Sequence, residues 1–392
     1  MLGINNKKSN IFKVAVPYHL LYETHGSDNG RDVVIFWGAD FRHFPESTDR
    51  EEFVKRTNLC LDYVRRACAG CRLYYKPHPA ETDEFKFLDL KSFEITKDTD
   101  IGEVFLWKNI NKIKYNFSVC SGVSFSAYKM GLNSYVFSKL FSDIFNEAQN
   151  NFFEEHLRVM PPSAFILNLD QDLRDNKTEL KKDNVLEEKI EQLLGQKRGG
   201  LWFVLADPML LPVVISFRRL IKNISPDRKI TLVITRHHRW DRANVVEDIK
   251  KEFDQIIIFP RTFYSLRPSK LFAAWRVARA VRKLKIGSED IIFGLTGISF
   301  VENCLISYNK NNFKITISPP QDLDLMYGMN RPKIFSDDKF KPPPANVFYN
   351  KFFEPLLGLN RTLYLKYGDG RIFNISRYQR PLNDVYDQVY II

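Results

Sequence analysis

The sequence predicts an α/β protein built from two parallel-sheet domains. Short apolar runs alternate with helically spaced stretches along most of the chain. The alternation breaks off in a charged segment and then restarts. The 392 residues also exceed the roughly 250–300 at which a single core stops growing.

In the first half, Asp32 to Trp37 is an apolar run closed by Gly38, the pattern of a buried strand. Glu51 to Cys68 places Phe53, Cys60, Val64 and Ala67 near helical spacing. Cys71 to Tyr75 reads as the next strand, and Phe93 to Thr96 as another. Ile101 to Ile110 is a short helix. Phe117 to Cys120 is a strand entering Ser121-Gly122, with a helix through Met130, and Tyr135 to Phe137 closes the series. Asp170 to Arg198 is rich in Lys, Asp and Glu. It reads as a linker containing one polar helix, Val185 to Leu194. The boundary therefore falls between residues 1–196 and 197–392.

The second half restarts with strand Leu201 to Leu205, helix Leu210 to Lys222 and strand Lys229 to Thr235. Helix Val245 to Phe253, strand Gln255 to Phe259 and a basic helix from Ser269 to Leu284 follow. Strand Asp290 to Leu295, helix Phe300 to Tyr308 and strand Phe313 to Ile317 complete the alternation. A proline-rich loop, Lys341 to Pro344, precedes a final strand from Val385 to Ile392. Ligands of such sheets bind where the carboxyl ends of the strands meet a crevice.

Composition excludes several classes. Apolar residues at 44% and charged residues at 27% are globular proportions, not those of a disordered or collagenous chain. Five cysteines do not make a disulfide scaffold. No run reaches the roughly 18–20 apolar residues of a spanning helix, and Met1 to Lys13 lacks a signal peptide's apolar centre. A soluble, reduced, cytoplasmic protein is the expectation. Residues 1–200 hold 28 Lys+Arg against 29 Asp+Glu, whereas residues 201–392 hold 30 against 18. The positive excess lies in the second half, which is expected either to meet an anionic partner or to be a solvated basic surface.

Two local patterns carry chemistry. In Tyr75-Lys76-Pro77-His78-Pro79 a strand ends in a lysine and a histidine held between two prolines. Proline fixes its own φ and restricts the residue before it. His78 is thus either an ordinary loop residue or a rigid donor to a phosphate or leaving group. In Cys120-Ser121-Gly122-Val123-Ser124 a strand turns into a helix, whose free N–H groups and hydroxyls suit an anion. Plain N-capping by Ser121 or Ser124 is the alternative. Both patterns are expected to end neighbouring strands of one sheet and to face one cleft.

The Lys-Pro-His-Pro run, followed about forty residues later by a strand and a serine-rich helix start, resembles the nucleotide half of bacterial GT-B glycosyltransferases. The similarity is to those using CMP-activated 3-deoxy-ulosonic sugars: sialyltransferases, polysialyltransferases and Kdo transferases of capsule and lipopolysaccharide assembly. It covers about residues 30–140. It implies two Rossmann-like domains facing a cleft, with the nucleotide half first. It implies that His78 contacts the CMP phosphate and that Ser121, with Ser124 beside it, binds that phosphate. Gly38, Lys76, Pro79 and Gly122 complete the implied nucleotide site. Neither a metal nor a cofactor is expected beyond the CMP-sugar donor. CDP-polyol phosphotransferases of teichoic acid synthesis have a similar half-domain and remain an alternative.

In that family the nucleotide half follows the acceptor half, whereas here it precedes it. The chain is then either a circular permutation, tolerable where domain termini lie close, or the end of one transferase joined to the start of another. The acceptor-like second half favours permutation. The family's Asp/Glu-Asp/Glu-Gly motif, which supplies the catalytic base, has no clean copy. Asp322 and Asp324, after the strand ending at Ile317, are nearest; Asp207, after the strand ending at Leu205, comes next, and Glu302 third. The implied partners are an acidic glycan or glycolipid acceptor and the cytoplasmic face of the inner membrane.

Weaker features stand beside these. Cys68-Ala69-Gly70-Cys71 has no second pair to complete a zinc site. Arg236 to Asp241 follows a strand and suits an acidic acceptor. The helix from Ser269 to Leu284 groups Leu271, Trp275 and Ala278 on one side, either toward a core or toward a membrane surface. The basic half also admits a nucleic-acid-binding protein, although no aromatic residues interleave with its Lys and Arg in an RNA-binding pattern.

Overall fold

The computed structural model describes residues 10–22, 32–39, 49–78, 81, 86–97, 100–158, 160–236, 245–262, 265–295, 299–318, 345, 348–359, 365–366, 372–373 and 385–392. The chain divides into two units: residues 17–182, and residues 1–16 together with 183–392.

The first unit holds strands β2 (Val33–Trp37), β3 (Arg72–Lys76), β4 (Phe93–Ile95), β5 (Ile113–Ser118) and β6 (Asn133–Val136). Their order is β4-β3-β2-β5-β6, and every pair is parallel. The first strand in sequence is central and the winding reverses beside it, the doubly wound Rossmann-like arrangement with its switch point between β2 and β5. All five residues of β2 are buried, as a strand covered on both faces must be.

Helix α1 (Arg50–Ala67) packs Phe53, Cys60, Leu61 and Val64 under Val34, Phe36, Tyr75 and Phe117. Asp49 caps it by accepting from the Glu52 amide at 2.9 Å. Helices α2 (Gly102–Asn109) and α3 (Gly122–Lys129) belong to the other sheet face, where the Trp37 indole meets the Phe105 ring edge-on at 5.8 Å. Helix α4 (Glu147–Leu157) starts in a capping box between Asn146 and Gln149. The edge strand β6 is strapped by residues 174–177. The Asn176 side chain donates to the Ser134 carbonyl and accepts from its amide.

The second unit is wound the same way. Strands β7 (Leu201–Leu205), β8 (Ile230–Thr235), β9 (Gln255–Phe259), β10 (Ile291–Leu295), β11 (Phe313–Ser318), β14 (Gln388–Ile391) and β1 (Ile11–Lys13) are ordered β9-β8-β7-β10-β11-β14-β1, all parallel. The switch point lies between β7 and β10. Helices α5 (Asn184–Gln196), α6 (Leu211–Ile224), α7 (Val245–Ile249), α8 (Pro268–Arg282) and α9 (Phe300–Tyr308) belong to this unit, and β12 (Leu365–Lys366) pairs antiparallel with β13 (Ile372–Phe373).

The expected parallel α/β alternation is present in both halves, with element ends displaced by a few residues. Three readings need correction. The division falls between residues 182 and 183, not at 196, and the second unit is discontinuous. Strand β1, inside the polar N-terminus, pairs with β14, and the Ala15 amide donates to Asp183 Oδ2 at 2.7 Å. Helix α5 is not a polar linker, because Leu186, Ile190, Leu193 and Leu194 form a buried stripe in the second unit. The last strand begins at Gln388 rather than Val385. With these limits the charge asymmetry sharpens. Residues 17–182 hold 22 Lys+Arg against 25 Asp+Glu, a net of −3, and the second unit holds 36 against 22, a net of +14.

Deleting residues 1–13 would unpair one side of β14 in the second unit. Limited trypsin digestion of the truncated chain is expected to degrade residues 183–392 early while a fragment spanning 17–182 persists. Equal resistance of both units, as in the full chain, would contradict the pairing.

Candidate functional site

The carboxyl ends of β2, β3 and β5 carry the residues singled out in the first unit. β3 and β5 are not neighbours: each flanks β2, so Gly38 lies between the two motifs. The Gly38 amide donates to the Lys76 carbonyl at 2.9 Å, tying the β2 end to the β3 end.

A carboxylate occupies the space beside Gly38. A Cβ at this position would lie 1.8 Å from Glu81 Oε1, 2.8 Å from the Tyr75 hydroxyl and 2.9 Å from the His78 backbone nitrogen. Only glycine permits that approach. Glu81 Oε1 accepts from the Tyr75 hydroxyl at 2.7 Å and from the His78 amide at 2.9 Å. The Glu81 amide closes the turn by donating to the His78 carbonyl at 3.0 Å. His78 is thus held by both of its backbone polar groups, and its side chain is half-buried. Burial raises the Glu81 carboxyl above its ordinary value, against the opposing pull of the Tyr75 and His78 hydrogen bonds.

Lys76 is only 6% exposed, and its ammonium stands 4.9 Å from the centre of the Phe105 ring. It braces α2 against the strand end. Pro79 lies outside the described residues.

At the β5 end, Ser121 is the N-cap of α3, its hydroxyl oxygen accepting from the Val123 amide at 3.3 Å. Gly122 is exposed, and among the described residues nothing lies within 4 Å of where its Cβ would be. At the start of α3 the Ser121 amide donates to Ser118 Oγ, the Val123 amide to Ser121 Oγ and the Ser124 amide to the Ser121 carbonyl, which leaves the Gly122 amide to face an anion at the positive helix end. Ser124 is placed differently from the expectation. It is fully buried, its hydroxyl pairs with that of Ser118 at 2.7 Å, and its carbonyl accepts from the Ser134 hydroxyl. It locks α3 to β5 and β6 and does not line an anion site.

A concavity of this unit lies elsewhere. An open groove of about 830 Å³ runs over β3 and β4 beside α2, lined by Asp32, Arg72, Tyr74, Glu94, Lys97 and Asn109 among others. The chemistry-bearing strand ends do not line it.

In the second unit Asp207 stands directly after β7, beside the switch point, and is partly exposed. Its Oδ1 accepts from the Met209 amide at 3.0 Å, capping a short turn. Glu302 is on α9 after β10 but is fully buried, its Oε1 accepting from the Tyr386 hydroxyl at 2.8 Å. Gly294 makes room for this pair, since a Cβ there would lie 2.3 Å from Glu302 Oε1. Burial withdraws Glu302 from the role of a base reaching an acceptor. Asp322, Asp324, the proline-rich loop 341–344 and residues 237–241 lie outside the described residues. Arg236, exposed after β8, is described.

Cys68 belongs to the α1 core, and burial pushes its thiol up to about 12. Among the described residues no group of three or more His, Cys, Asp or Glu side chains is arranged to hold a metal, and no helix is long and apolar enough to cross a membrane.

The fold and the strand-end groups define a protein of two doubly wound α/β units, the first with a glycine–glutamate–histidine lock at its strand ends. No protein-family model matches the chain, and no curated protein matches it.

A raised carboxyl pKa binds a proton in the folded state that the unfolded state releases. Glu81 therefore supports the fold most below its ordinary value of 4.5, and stability falls as pH rises from there through the raised value. Glu81→Gln keeps the acceptor oxygen and removes the titration. Its melting temperature relative to the parent is expected to climb as the pH rises above 4.5. Carboxylates common to both proteins cancel in that difference. A gap independent of pH would contradict the assignment.

Proposed function

We propose that the chain is a GT-B-type glycosyltransferase that moves a 3-deoxy-ulosonic sugar, such as sialic acid or Kdo, from its CMP donor to a bacterial surface glycan or glycolipid. The observation that carries this reading is the strand-end assembly of the first unit. His78 is held rigid by Glu81 against Gly38, and an exposed, serine-capped helix start flanks the same central strand. Such a set suits a nucleotide phosphate: a histidine donor on a fixed turn and a helix-end amide. His78 would donate to the leaving phosphate, and the Gly122 amide at the start of α3 would hold it. Of the residues expected to contact the nucleotide, buried Ser124 and Lys76 would act as supports of the site instead.

The second unit, with its net charge of +14, suits an acidic acceptor. In this reading Asp322 or Asp324, or Asp207 after β7, takes the proton of the attacking hydroxyl. The discontinuous second unit supports permutation over an end-to-start fragment, because its sheet is completed by a strand from before the first unit. A CMP-sugar transferase of this kind is expected to work without metal, at the cytoplasmic face of the inner membrane.

Ligand-induced thermal shift tests the assignment. CMP is expected to raise the melting temperature by mass action, with UDP inert. CDP acting in place of CMP would favour a CDP-polyol phosphotransferase. Oligonucleotide binding that weakens steeply with salt, without any nucleotide effect, would favour the nucleic-acid reading. His78→Ala removes one charge-assisted contact of roughly 1.5–3 kcal/mol, so transfer is expected to slow by about one to two decades. Unchanged turnover in the folded variant would contradict the site.

A further inference from the structure

Helix α8 turns Ala274, Val277, Ala278 and Val281 inward. A helix packed on a domain carries charged and polar residues on the side opposite its buried stripe. Here that side also carries Phe272 and Trp275, 58% and 38% exposed. The two rings stack on each other with centroids 5.6 Å apart, and the Arg279 guanidinium stands 5.4 Å from the Trp275 ring centre. At the helical pitch, Phe272, Arg276, Arg279 and Lys283 fall opposite the buried stripe, with Trp275 beside them. Leu266, just ahead of the helix, is 49% exposed. The 28 residues from 261 to 288 contain eight Lys or Arg and no Asp or Glu. The sequence grouping of Leu271, Trp275 and Ala278 separates accordingly. Leu271 and Ala278 join the core, whereas Trp275 points away from it.

This pattern selects among partners. A nucleic-acid strand is held in a groove that tracks its backbone, whereas these side chains stand on the outer side of a helix. A second copy meeting the first about a two-fold axis would set this basic face against itself. A planar surface of anionic phospholipid satisfies both features at once. Aromatic and aliphatic side chains enter the boundary of the acyl chains, and the Lys and Arg groups meet the headgroup phosphates.

We propose that the outer face of α8 docks the second unit on an anionic phospholipid bilayer. Leu266, Phe272 and Trp275 are the inserted residues, and Arg276, Arg279 and Lys283 are the headgroup contacts.

Sedimentation of the full chain with vesicles tests this, using phosphatidylcholine alone and phosphatidylcholine mixed with phosphatidylglycerol. The chain is expected to pellet with the mixed vesicles, to stay in solution with the neutral ones, and to be released by salt. The triple variant Arg276→Gln, Arg279→Gln, Lys283→Gln is expected to lower the partition coefficient by about two orders of magnitude. Phe272→Ser with Trp275→Ser is expected to lower it by about tenfold or more. All substituted side chains are exposed, so both variants should melt as the parent does, and melting curves check that. Equal pelleting with both vesicle types, or binding untouched by both variants, overturns the proposal. So does a soluble dimer dispersed by the Phe272/Trp275 variant without vesicle binding, or oligonucleotide binding without vesicle binding. The vesicles contain no nucleotide, so lipid docking and the CMP assignment succeed or fail separately.

Discussion

Every strand pair in the two large sheets is parallel, so each strand must return to the same end of its sheet before the next can pair. The return path carries a helix or a long loop across a sheet face. The strands in turn are buried on both sides, as the fully buried β2, β7, β8 and β10 show. This constraint gathers the carboxyl ends of the strands, and the loops leaving them, on one edge of each unit. Residues far apart in sequence, such as Gly38, His78 and Ser121, are brought to one sheet edge by it.

Within that edge, the contact between Gly38 and Glu81 sets the local geometry. The glycine lets a carboxylate approach the end of the central strand, and the carboxylate fixes the backbone of the histidine turn. A similar device recurs in the second unit, where Gly294 admits the Glu302–Tyr386 pair. In both cases a glycine within or just after a strand admits an acid, half-buried Glu81 beside Gly38 and buried Glu302 beside Gly294. The two acids differ in setting. Glu81 holds a partly exposed turn, whereas Glu302 is sealed inside and anchors α9 to the tail segment that precedes β14.

Most of the fold was legible because strongly apolar runs bounded by Gly, Pro or charged residues announce buried strands. Leu201–Leu205 and Gln255–Phe259 coincide with their expected limits. Strand β1 was not legible, since three residues, the last of them a lysine, carry no periodicity and the partner strand lies at the other end of the chain. Helix α5 was misread because its charge content masks the stripe Leu186, Ile190, Leu193 and Leu194. Helix α4 had a signal, the Asn146-x-x-Gln149 capping box, that patterning of apolar residues does not register. In the site, the His-Pro run was conspicuous, but Glu81 was not, because its meaning depends on Gly38, far earlier in the chain. Ser124 shows the converse: a hydroxyl in an anion-binding pattern that hydrogen bonding inside the core consumes.

The central claim is that the strand-end lock of the first unit forms a nucleotide site. Hydrogen–deuterium exchange of the full chain with and without CMP tests it most directly. The account predicts that CMP slows exchange in the peptides covering Gly38, Lys76 to Glu81 and Ser121 to Ser124, with little change over the groove lined by Asp32, Arg72, Glu94 and Lys97. Protection confined to that groove or to the second unit, with the strand-end peptides unchanged, would contradict it.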